Sequence, residues 1–301
     1  MIRGFFILLI ISSISFAATY QTMTELGTSA SMIGLGNIHG FEKSSNVIFD
    51  NPAGLNNIKG ISGGSFYTEL MNGEIEYRNL SFGIQTHVGA FAIGYMESSV
   101  DDIPRTAEQD GEFIQTGSFG YKNQLAKLGY AFRLNNRVSI GANLVGINQK
   151  IDDVNASTIN TDFGAMLHVD RLNLNVVIQN ALFWQDLNYS NGGSETIPTT
   201  VIGGVKYSIL DDLDAYIQLK TFLREQDQLM SYAVSYQPNI VGRLLSFRIG
   251  HKQFLILDEK HSSTTFGLGL DLINIGFDFA FEKSSYFEVD SKQYFSVRFN
   301  F

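Results

Sequence analysis

The chain has 301 residues, with 29 Gly, 24 Phe and 13 Tyr against only 4 Pro, a composition rich in sheet formers and tight turns. It contains no cysteine, which excludes disulfide bonds, so other contacts have to stabilise the fold. The formal net charge of -9 argues against nucleic acid as a partner.

The first residues have the pattern of a secretory signal peptide. Arg3 supplies a positive charge, residues 5–11 are uniformly apolar, and Ser15-Phe16-Ala17 provides the small residues that precede a signal-peptidase site. An uncleaved anchor would need about 20 apolar residues, whereas this stretch is interrupted from Ser12 on. We therefore predict a signal peptide at 1–17 and an exported mature chain that begins at Ala18.

Residues 26–55 do not alternate between apolar and polar, so they are predicted to lie outside any sheet. Small residues dominate their first half, as a segment enclosed in a narrow space would need. The box Asn51-Pro52-Ala53-Gly54-Leu55 predicts a turn, because the residue before a proline is held extended and glycine can adopt a positive φ.

From about residue 60, apolar residues alternate with polar or small ones in one segment after another, which predicts β-strands with one apolar face. In residues 266–272, for example, large apolar side chains alternate with Gly267, Gly269 and Asp271. Beyond residue 18, glycine or polar residues interrupt every apolar run before it reaches the length of a spanning helix. The sequence leaves open whether the first candidate strand, about Gly60 to Leu70, belongs to the sheet or to the segment before it.

Charged residues fall on the polar face of these strands. An Arg or Lys that faces lipid near the midplane costs about 2–4 kcal/mol, so the cations are predicted to point into the lumen of a barrel. They are Lys127, Arg133, Lys206, Lys220, Arg248 and Arg298. The carboxylates on the same faces are Asp162, Asp214, Asp271, Asp278 and Glu282. This pattern indicates a hydrated or salt-bridged lumen.

The last eight residues alternate without a break. Phe295, Val297, Phe299 and Phe301 share one face of an extended strand, and the residues between them share the other. Such a strand, ending on an aromatic residue, is typical of an outer-membrane barrel. We expect a C-terminal signal for the barrel-assembly machinery, formed by Tyr294, Val297, Phe299 and Phe301.

Alternation alone does not exclude a soluble sandwich, but the leader, the final strand and the number of strands favour a barrel. About 240 residues follow Gly60, and a spanning strand with its connection takes roughly 17, which gives about 14 strands. The predicted fold is all-β: a transmembrane antiparallel β-barrel of about 14 strands at 60–301, with an N-terminal hatch at 18–59 inside the lumen.

The amino-terminal motif carries a resemblance. The Gly-rich stretch from Leu26, a short helix-like element and the box at 51–55 resemble the N-terminal hatch of the FadL-type outer-membrane transporters and their PorV/PorQ relatives. The resemblance implies a hatch in the lumen of a 14-stranded barrel in the bacterial outer membrane. It also implies one of two functions: passage of small hydrophobic or amphipathic molecules, or service as a docking accessory of a type IX-like protein secretion machinery. The expected partners are outer-membrane lipid and either a hydrophobic ligand or secretion-system proteins.

A fatty-acid site should be mainly apolar with one positive group for the carboxylate, so the polar lumen face departs from the fatty-acid transporters. His39, Lys43 and Arg78 are the candidates for such a positive group. The alternative for each is a solvated or ion-paired role, which is common for charged residues.

No cofactor, metal or catalytic centre is predicted. Gly34-x-Gly36-x-x-x-Gly40 misses the dinucleotide-binding spacing, and the five histidines lack the spacing of zinc ligands. A lipase-like active site is not expected, because no Gly-x-Ser-x-Gly nucleophile motif is recognised. The sequence therefore predicts a protein that is not an enzyme.

Overall fold

The computed structural model describes residues 26–109, 112–224, 227–238, 244–256, 259–284 and 292–301. The predicted signal peptide and the first residues of the predicted hatch, up to residue 25, lie outside the described residues. No helix in the described ranges is long and apolar enough to cross a membrane.

The described residues form four short helices, three of them before the first strand and one between the first two strands, and sixteen strands. The helices are α1 (Ala30–Gly34) and the 3-10 helices η1 (Ser45–Phe49), η2 (Pro52–Asn57) and η3 (Met71–Gly73). The strands are β1 (Ile61–Leu70), β2 (Ile75–Thr86), β3 (Gly89–Gln109), β4 (Glu112–Arg133), β5 (Val138–Ile151), β6 (Val154–Val169), β7 (Leu172–Gln179), β8 (Asp186–Tyr189), β9 (Ser194–Thr196), β10 (Thr200–Leu210), β11 (Leu213–Phe222), β12 (Gln228–Tyr236), β13 (Leu245–Ile256), β14 (Glu259–Leu272), β15 (Ile275–Ser284) and β16 (Lys292–Asn300).

Fourteen of these strands, β1–β7 and β10–β16, close into an antiparallel barrel. Each strand pairs with its neighbours around the ring, and β1 pairs with β16 to close it, with Gly63 opposite Phe299. The short strands β8 and β9 form a hairpin that pairs with β6 and is not one of the ring strands. The prediction of a barrel of about 14 strands is confirmed, and the segment from Ile61 to Leu70 belongs to the wall. Closure leaves no open edge within the ring of these fourteen strands, which is the condition for a sheet in lipid.

The two ends of the barrel differ. Short connections at 87–88, 134–137, 170–171, 211–212 and 273–274 lie at the end that also carries Gly60 and Phe301, and we call this end the short-turn rim. The opposite end, the long-hairpin rim, carries the extended hairpin of β3 and β4, which have 21 and 22 residues. A spanning strand needs only about 9 to 11 residues, so this hairpin extends well beyond the rest of the wall.

The alternation separates the two faces of the wall as the sequence predicts. Apolar residues such as Leu80, Ile93 and Leu128 are exposed on the outer face. In the final strand, Tyr294 and Arg298 are buried while Phe295 is exposed, and Phe301, which follows the strand, is exposed as well. The predicted inward cations are buried in four cases and contact interior groups in the other two. The buried ones are Lys127, Lys220, Arg248 and Arg298, Lys206 pairs with Asp214, and Arg133 donates to Asn56.

The seam between β1 and β16 depends on a glycine. The ring of Phe299 lies over Gly63, where a Cβ atom would come within 2.1 Å of the ring. We predict that Gly63→Val displaces this ring and destabilises the closed barrel by about 1–3 kcal/mol, because overpacking forces its neighbours to move. The measurement is the temperature at which the folded barrel converts to the unfolded band on an SDS gel.

The matched control is Gly203→Val in β10, because a Cβ atom at Gly203 meets no atom within 4 Å. We expect this variant to unfold at or above the wild-type temperature, since valine favours strands. Equal unfolding temperatures for the two variants would contradict the account of the seam.

Candidate functional site: the lumen and its amino-terminal segment

Residues 26–59, here called the amino-terminal segment, lie inside the ring of strands. The helix α1 contacts β13–β16, η1 contacts β1–β4, and η2 contacts β2–β6, so the segment touches opposite sides of the wall. Almost all of its residues are buried. A hatch role for this segment stays a prediction.

Side-chain caps define the short helices of the segment. The Ser29 hydroxyl accepts a hydrogen bond from the Met32 N–H at 3.0 Å and begins α1. The Asn51 side chain accepts from the Ala53 N–H at 3.0 Å and begins η2, with Pro52 in the first turn, where a missing N–H costs nothing. Helices this short are not stable alone, so the wall has to hold them in place.

The box at 51–55 forms the predicted turn with one difference. Asn51 is extended, with φ -145° and ψ 110°, as expected before proline. Gly54, however, does not adopt a positive φ. A Cβ atom there would lie 2.4 Å from Cγ2 of Val47, so Gly54 provides room for the packing of η1 on η2.

Glycines on the inner face of the wall make the space for the segment. At each of them, a Cβ atom would come within about 3 Å of an atom of the segment. They are Gly64, Gly83, Gly94, Gly129, Gly141, Gly164, Gly250 and Gly267. The contacts extend around the barrel from β1 to β14, so the segment fits closely against several sides of the wall. A molecule that crosses the lumen therefore needs the segment to move.

Polar side chains of the wall bind the irregular backbone of the segment. Asn79 donates to the Thr28 carbonyl at 2.7 Å, and Asn175 donates to the His39 carbonyl at 2.9 Å. Ser296 accepts from the Ala30 N–H at 3.1 Å. A buried backbone group without a partner costs about 1–3 kcal/mol, so these inward polar residues are required wherever the segment has no regular structure.

The densest of these contacts surrounds the end of η1, and we call its four residues, Lys127, Asn143, Asp162 and Gln179, the clasp. Lys127 Nζ lies 2.7 Å from Asp162 and donates to the Phe49 carbonyl at 3.1 Å. Asn143 donates to the Ile48 carbonyl at 2.8 Å, and Gln179 donates to the Phe49 carbonyl at 3.2 Å. The clasp thus joins four strands, β4 to β7, to the carbonyl groups at which η1 ends.

Further ion pairs line the opposite side of the lumen. Asp278 accepts from Arg248 at 2.8 Å and from Arg298 at 3.0 Å, and Arg298 also pairs with Asp271. Lys252 lies 3.0 Å from Glu282. The predicted salt-bridged lumen is confirmed, and each of these buried charges has a partner of opposite sign, as burial requires.

The structure places the three candidate ligand residues far from a shared site. The His39 ring is buried and contacts Gln218, and burial, together with the nearby Lys220 ammonium, lowers the pKa of His39 to about 3, so the ring is neutral. Lys43 is exposed and donates to Gln237 at 3.4 Å beside the short-turn rim. Arg78 lies on the outer face of β2 and pairs with Glu97.

Among the described residues, no cluster of His, Cys, Asp or Glu has the geometry to hold a metal ion. Contrary to the expectation from the sequence, residues 60–64 do match the Gly-x-Ser-x-Gly letters of a hydrolase nucleophile. Ser62, however, is fully buried in β1, and its hydroxyl accepts from the Ser45 N–H at 3.0 Å. It lies in a strand that continues to Leu70, without the exposed strand-to-helix turn of that motif.

Neither the clasp nor the glycines that face the segment were predicted from the sequence. A signal for both exists in the inward positions of the strands, where amides and glycines replace the apolar residues of an ordinary core. Asn143, Asn175, Gln179 and Gln218 are such amides. Their partners are backbone groups of the segment, which no sequence pattern specifies.

No protein-family model matches the chain, and no curated protein matches its sequence. Solved structures of channels do share its architecture. The P. putida toluene transporter TodX superposes with a TM-score of 0.63 at 13% identity, covering 91% of this chain and 99% of that one. The monoaromatic hydrocarbon channel CymD gives 0.61 at 12% identity, covering 92% and 98%. A FadL homologue from Pseudomonas aeruginosa gives 0.59 at 11% identity, covering 91% and 98%. The shared property is the fold.

The clasp yields a test of what holds the segment. We predict that Lys127→Met and Asp162→Asn each lower the stability by about 3–5 kcal/mol, because each leaves one buried charge unpaired. The double variant should lose less than the sum of the two losses, because it leaves no unpaired charge. The measurement is urea unfolding in detergent, followed by the fluorescence of Trp184, the single tryptophan of the chain.

Lys122→Met is the control, because Lys122 is half exposed on the outer face and lies 3.8 Å from Glu97. Its effect should stay below about 1 kcal/mol, because the Lys122 side chain is half exposed and the buried Glu97 keeps Arg78 as its partner. Strictly additive losses at Lys127 and Asp162 would show that the two side chains are independent and would refute the clasp.

Proposed function

We propose that this protein is a bacterial outer-membrane channel that passes small hydrophobic or amphipathic molecules, and that the amino-terminal segment moves to open the path. The observation that carries the proposal is a closed barrel of fourteen strands with an irregular segment packed in its lumen. The same fold is found in the toluene transporter TodX and in the monoaromatic hydrocarbon channel CymD. In this proposal the short-turn rim faces the periplasm, as in other outer-membrane barrels.

The contacts of the segment suit a reversible closure. Its backbone is held mainly by single hydrogen bonds from wall side chains, each worth about 0.5–1.5 kcal/mol net. Water can replace these bonds one by one if the segment shifts. The ion pairs within the wall, such as that between Arg248 and Asp278, remain intact in such a movement because both partners belong to strands.

The second function implied by the sequence resemblance is docking within a type IX-like secretion machinery. The structural neighbours described above give it no support, and membership of the PorV/PorQ branch stays a prediction. A salt-bridged lumen is the feature of this chain that favours it. It remains the alternative outcome of the experiment that follows.

The absence of cysteine allows the segment to be locked in place by one designed disulfide. The hydroxyl oxygens of Ser45 in η1 and Ser81 in β2 lie 2.7 Å apart. We predict that oxidised Ser45→Cys/Ser81→Cys reduces the uptake of radiolabelled toluene at least fivefold, in cells that carry the protein in the outer membrane. Reduction with dithiothreitol should restore uptake, since the lock is then open.

The control is Ser45→Cys alone, which cannot form the bond within one chain and should respond to neither oxidant nor reductant. Uptake that stays at the wild-type rate, with the disulfide verified by mass spectrometry, would exclude movement of η1 as the opening step. If cells with the wild-type protein take up no more toluene than cells without it, the transport proposal is wrong. This result would favour the docking alternative.

A further inference from the structure

The hairpin of β3 and β4 projects beyond the wall with unpaired strand edges. β2 pairs with β3 up to Val100, and β5 pairs with β4 up to Tyr121, while β3 and β4 stay paired with each other beyond these points. Among the described strands, residues 101–109 of β3 and 112–119 of β4 therefore have a partner on one side only. An unpaired strand edge is a template for pairing with another chain.

The two edges of the hairpin differ in their protection. Proteins commonly block an exposed edge with proline, bulges or charges. The β3 edge carries Pro104 and a bulge at 101–102, where Asp102 is left-handed with φ 56°. The β4 edge has a bulge at Thr116 and no proline. Between this bulge and the start of β4, residues 112–115 pair regularly with β3, and we call them the open edge.

The open edge lies in water, beyond the lipid-facing part of the wall. Along the outer face of β4, apolar residues such as Leu128 give way to Gln124, which donates to the ion-paired Glu97. At about 3.3 Å per residue, the open edge lies roughly 30 Å further along the strand. Phe113 is nevertheless 78% exposed and Ile114 39%. Lipid does not cover these two side chains, so they are available for contact with a partner.

The charge around the open edge indicates the kind of partner. Carboxylates predominate in the projecting part of the hairpin and in the adjoining turn between β5 and β6. They are Asp101, Asp102, Glu108, Glu112, Asp152 and Asp153. Arg105 is the cation among the described residues of this region, and it already pairs with Asp152. A second copy of this chain would bring the same negative charge to the edge, so a cationic partner is favoured.

The two faces of the open edge have the same pattern. Successive side chains of a strand point to opposite faces, so Glu112 and Ile114 share one face. Phe113 lies on the other face, together with Glu108, which is its cross-strand partner on β3. Each face thus offers one apolar side chain and one carboxylate. A complementary strand carries a basic and an apolar side chain on each of its faces.

We propose that the open edge is a docking site for an extended, lysine- or arginine-rich segment of a partner protein, which adds a strand to the hairpin. Backbone hydrogen bonds supply the affinity, as in other cases of strand addition. Basic side chains of the added strand meet Glu108 and Glu112, and its apolar side chains contact Phe113 and Ile114. In the orientation proposed above, the long-hairpin rim faces the cell exterior, so the partner is an extracellular or cell-surface protein.

The test is equilibrium binding to the full chain in lipid nanodiscs, measured by titration calorimetry with the capped peptide Lys-Lys-Val-Val-Lys-Lys. This parent peptide places lysine and valine on both faces of an extended strand. One comparison peptide has glutamate in place of each lysine. The other keeps all side chains but has N-methylated valines, which lack the N–H groups for strand pairing. We expect the parent to bind at least tenfold more tightly than either, and to slow hydrogen exchange of the amides of 112–115.

Glu108→Gln/Glu112→Gln should weaken the binding of the parent peptide at least fivefold. The matched control is Glu74→Gln/Glu76→Gln, because these exposed carboxylates lie at the same rim beside β2, away from the β4 edge. It should leave the affinity unchanged. All four side chains are exposed, so both variants should fold normally. Equal affinity for the parent and the N-methylated peptide, or unchanged affinity in Glu108→Gln/Glu112→Gln, would overturn the proposal.

Sedimentation of the protein in detergent, without peptide, tests the other possible occupant. We expect the sedimentation of the wild type to match that of Phe113→Asp, because like charges keep two open edges apart. A wild-type dimer that Phe113→Asp dissociates would show that a second copy of the chain occupies the open edge. The proposal of a cationic partner would then be wrong.

Discussion

The structure depends on one constraint: the backbone of an irregular segment of about thirty residues is enclosed in a barrel and has to find hydrogen-bond partners there. Hydrogen bonds within its helices satisfy few of the backbone groups of the segment, since these helices are only five or six residues long. The inner faces of the strands supply the rest through Asn, Gln, Ser and Thr side chains such as Asn79, Asn175 and Thr265. This explains why the lumen is polar although the segment itself carries few charges. The polarity belongs to the packing of the segment and does not by itself indicate a water-filled pore.

The buried charges follow the same logic. A lysine or arginine in the wall reaches a carbonyl that a shorter side chain would miss, and a carboxylate on another strand of the wall compensates its charge. Lys127 meets both conditions, with Asp162 on one side and the Phe49 carbonyl on the other. Removal of either Lys127 or Asp162 is therefore costly, because it leaves the other charge unpaired. Replacement of both by apolar residues would leave the Phe49 carbonyl at the end of η1 without its hydrogen bond from Lys127. The ion pairs around Asp278 connect strands β13 to β16 beneath α1 and leave the helix itself held by weaker contacts.

Much of the wall was predictable from the sequence, because strand alternation is local and every strand of a barrel repeats it. The inward direction of Lys127, Arg248 and Arg298 followed from the cost of a charge in lipid, and the length of the chain gave the number of strands. The partners of the segment were not predictable, because most of them lie far from it in the sequence, as Asn51 joins the Val176 carbonyl. Gly54 shows the same limit. A glycine is needed there because Val47 leaves no room for a side chain, and not because of the φ angle. The sequence around His39 does not indicate that its ring is buried beside Gln218 and uncharged.

The central claim is that the wall holds the amino-terminal segment in the lumen as an ordered part of the fold. Hydrogen exchange of the full chain in nanodiscs, read by mass spectrometry peptide by peptide, tests it most directly. The account predicts that the amides of residues 45–57 exchange orders of magnitude more slowly than in an unstructured peptide and lose this protection when Lys127 is replaced by methionine. Exchange of residues 45–57 at the rate of an unstructured peptide, while β1 to β16 stay protected, would contradict it.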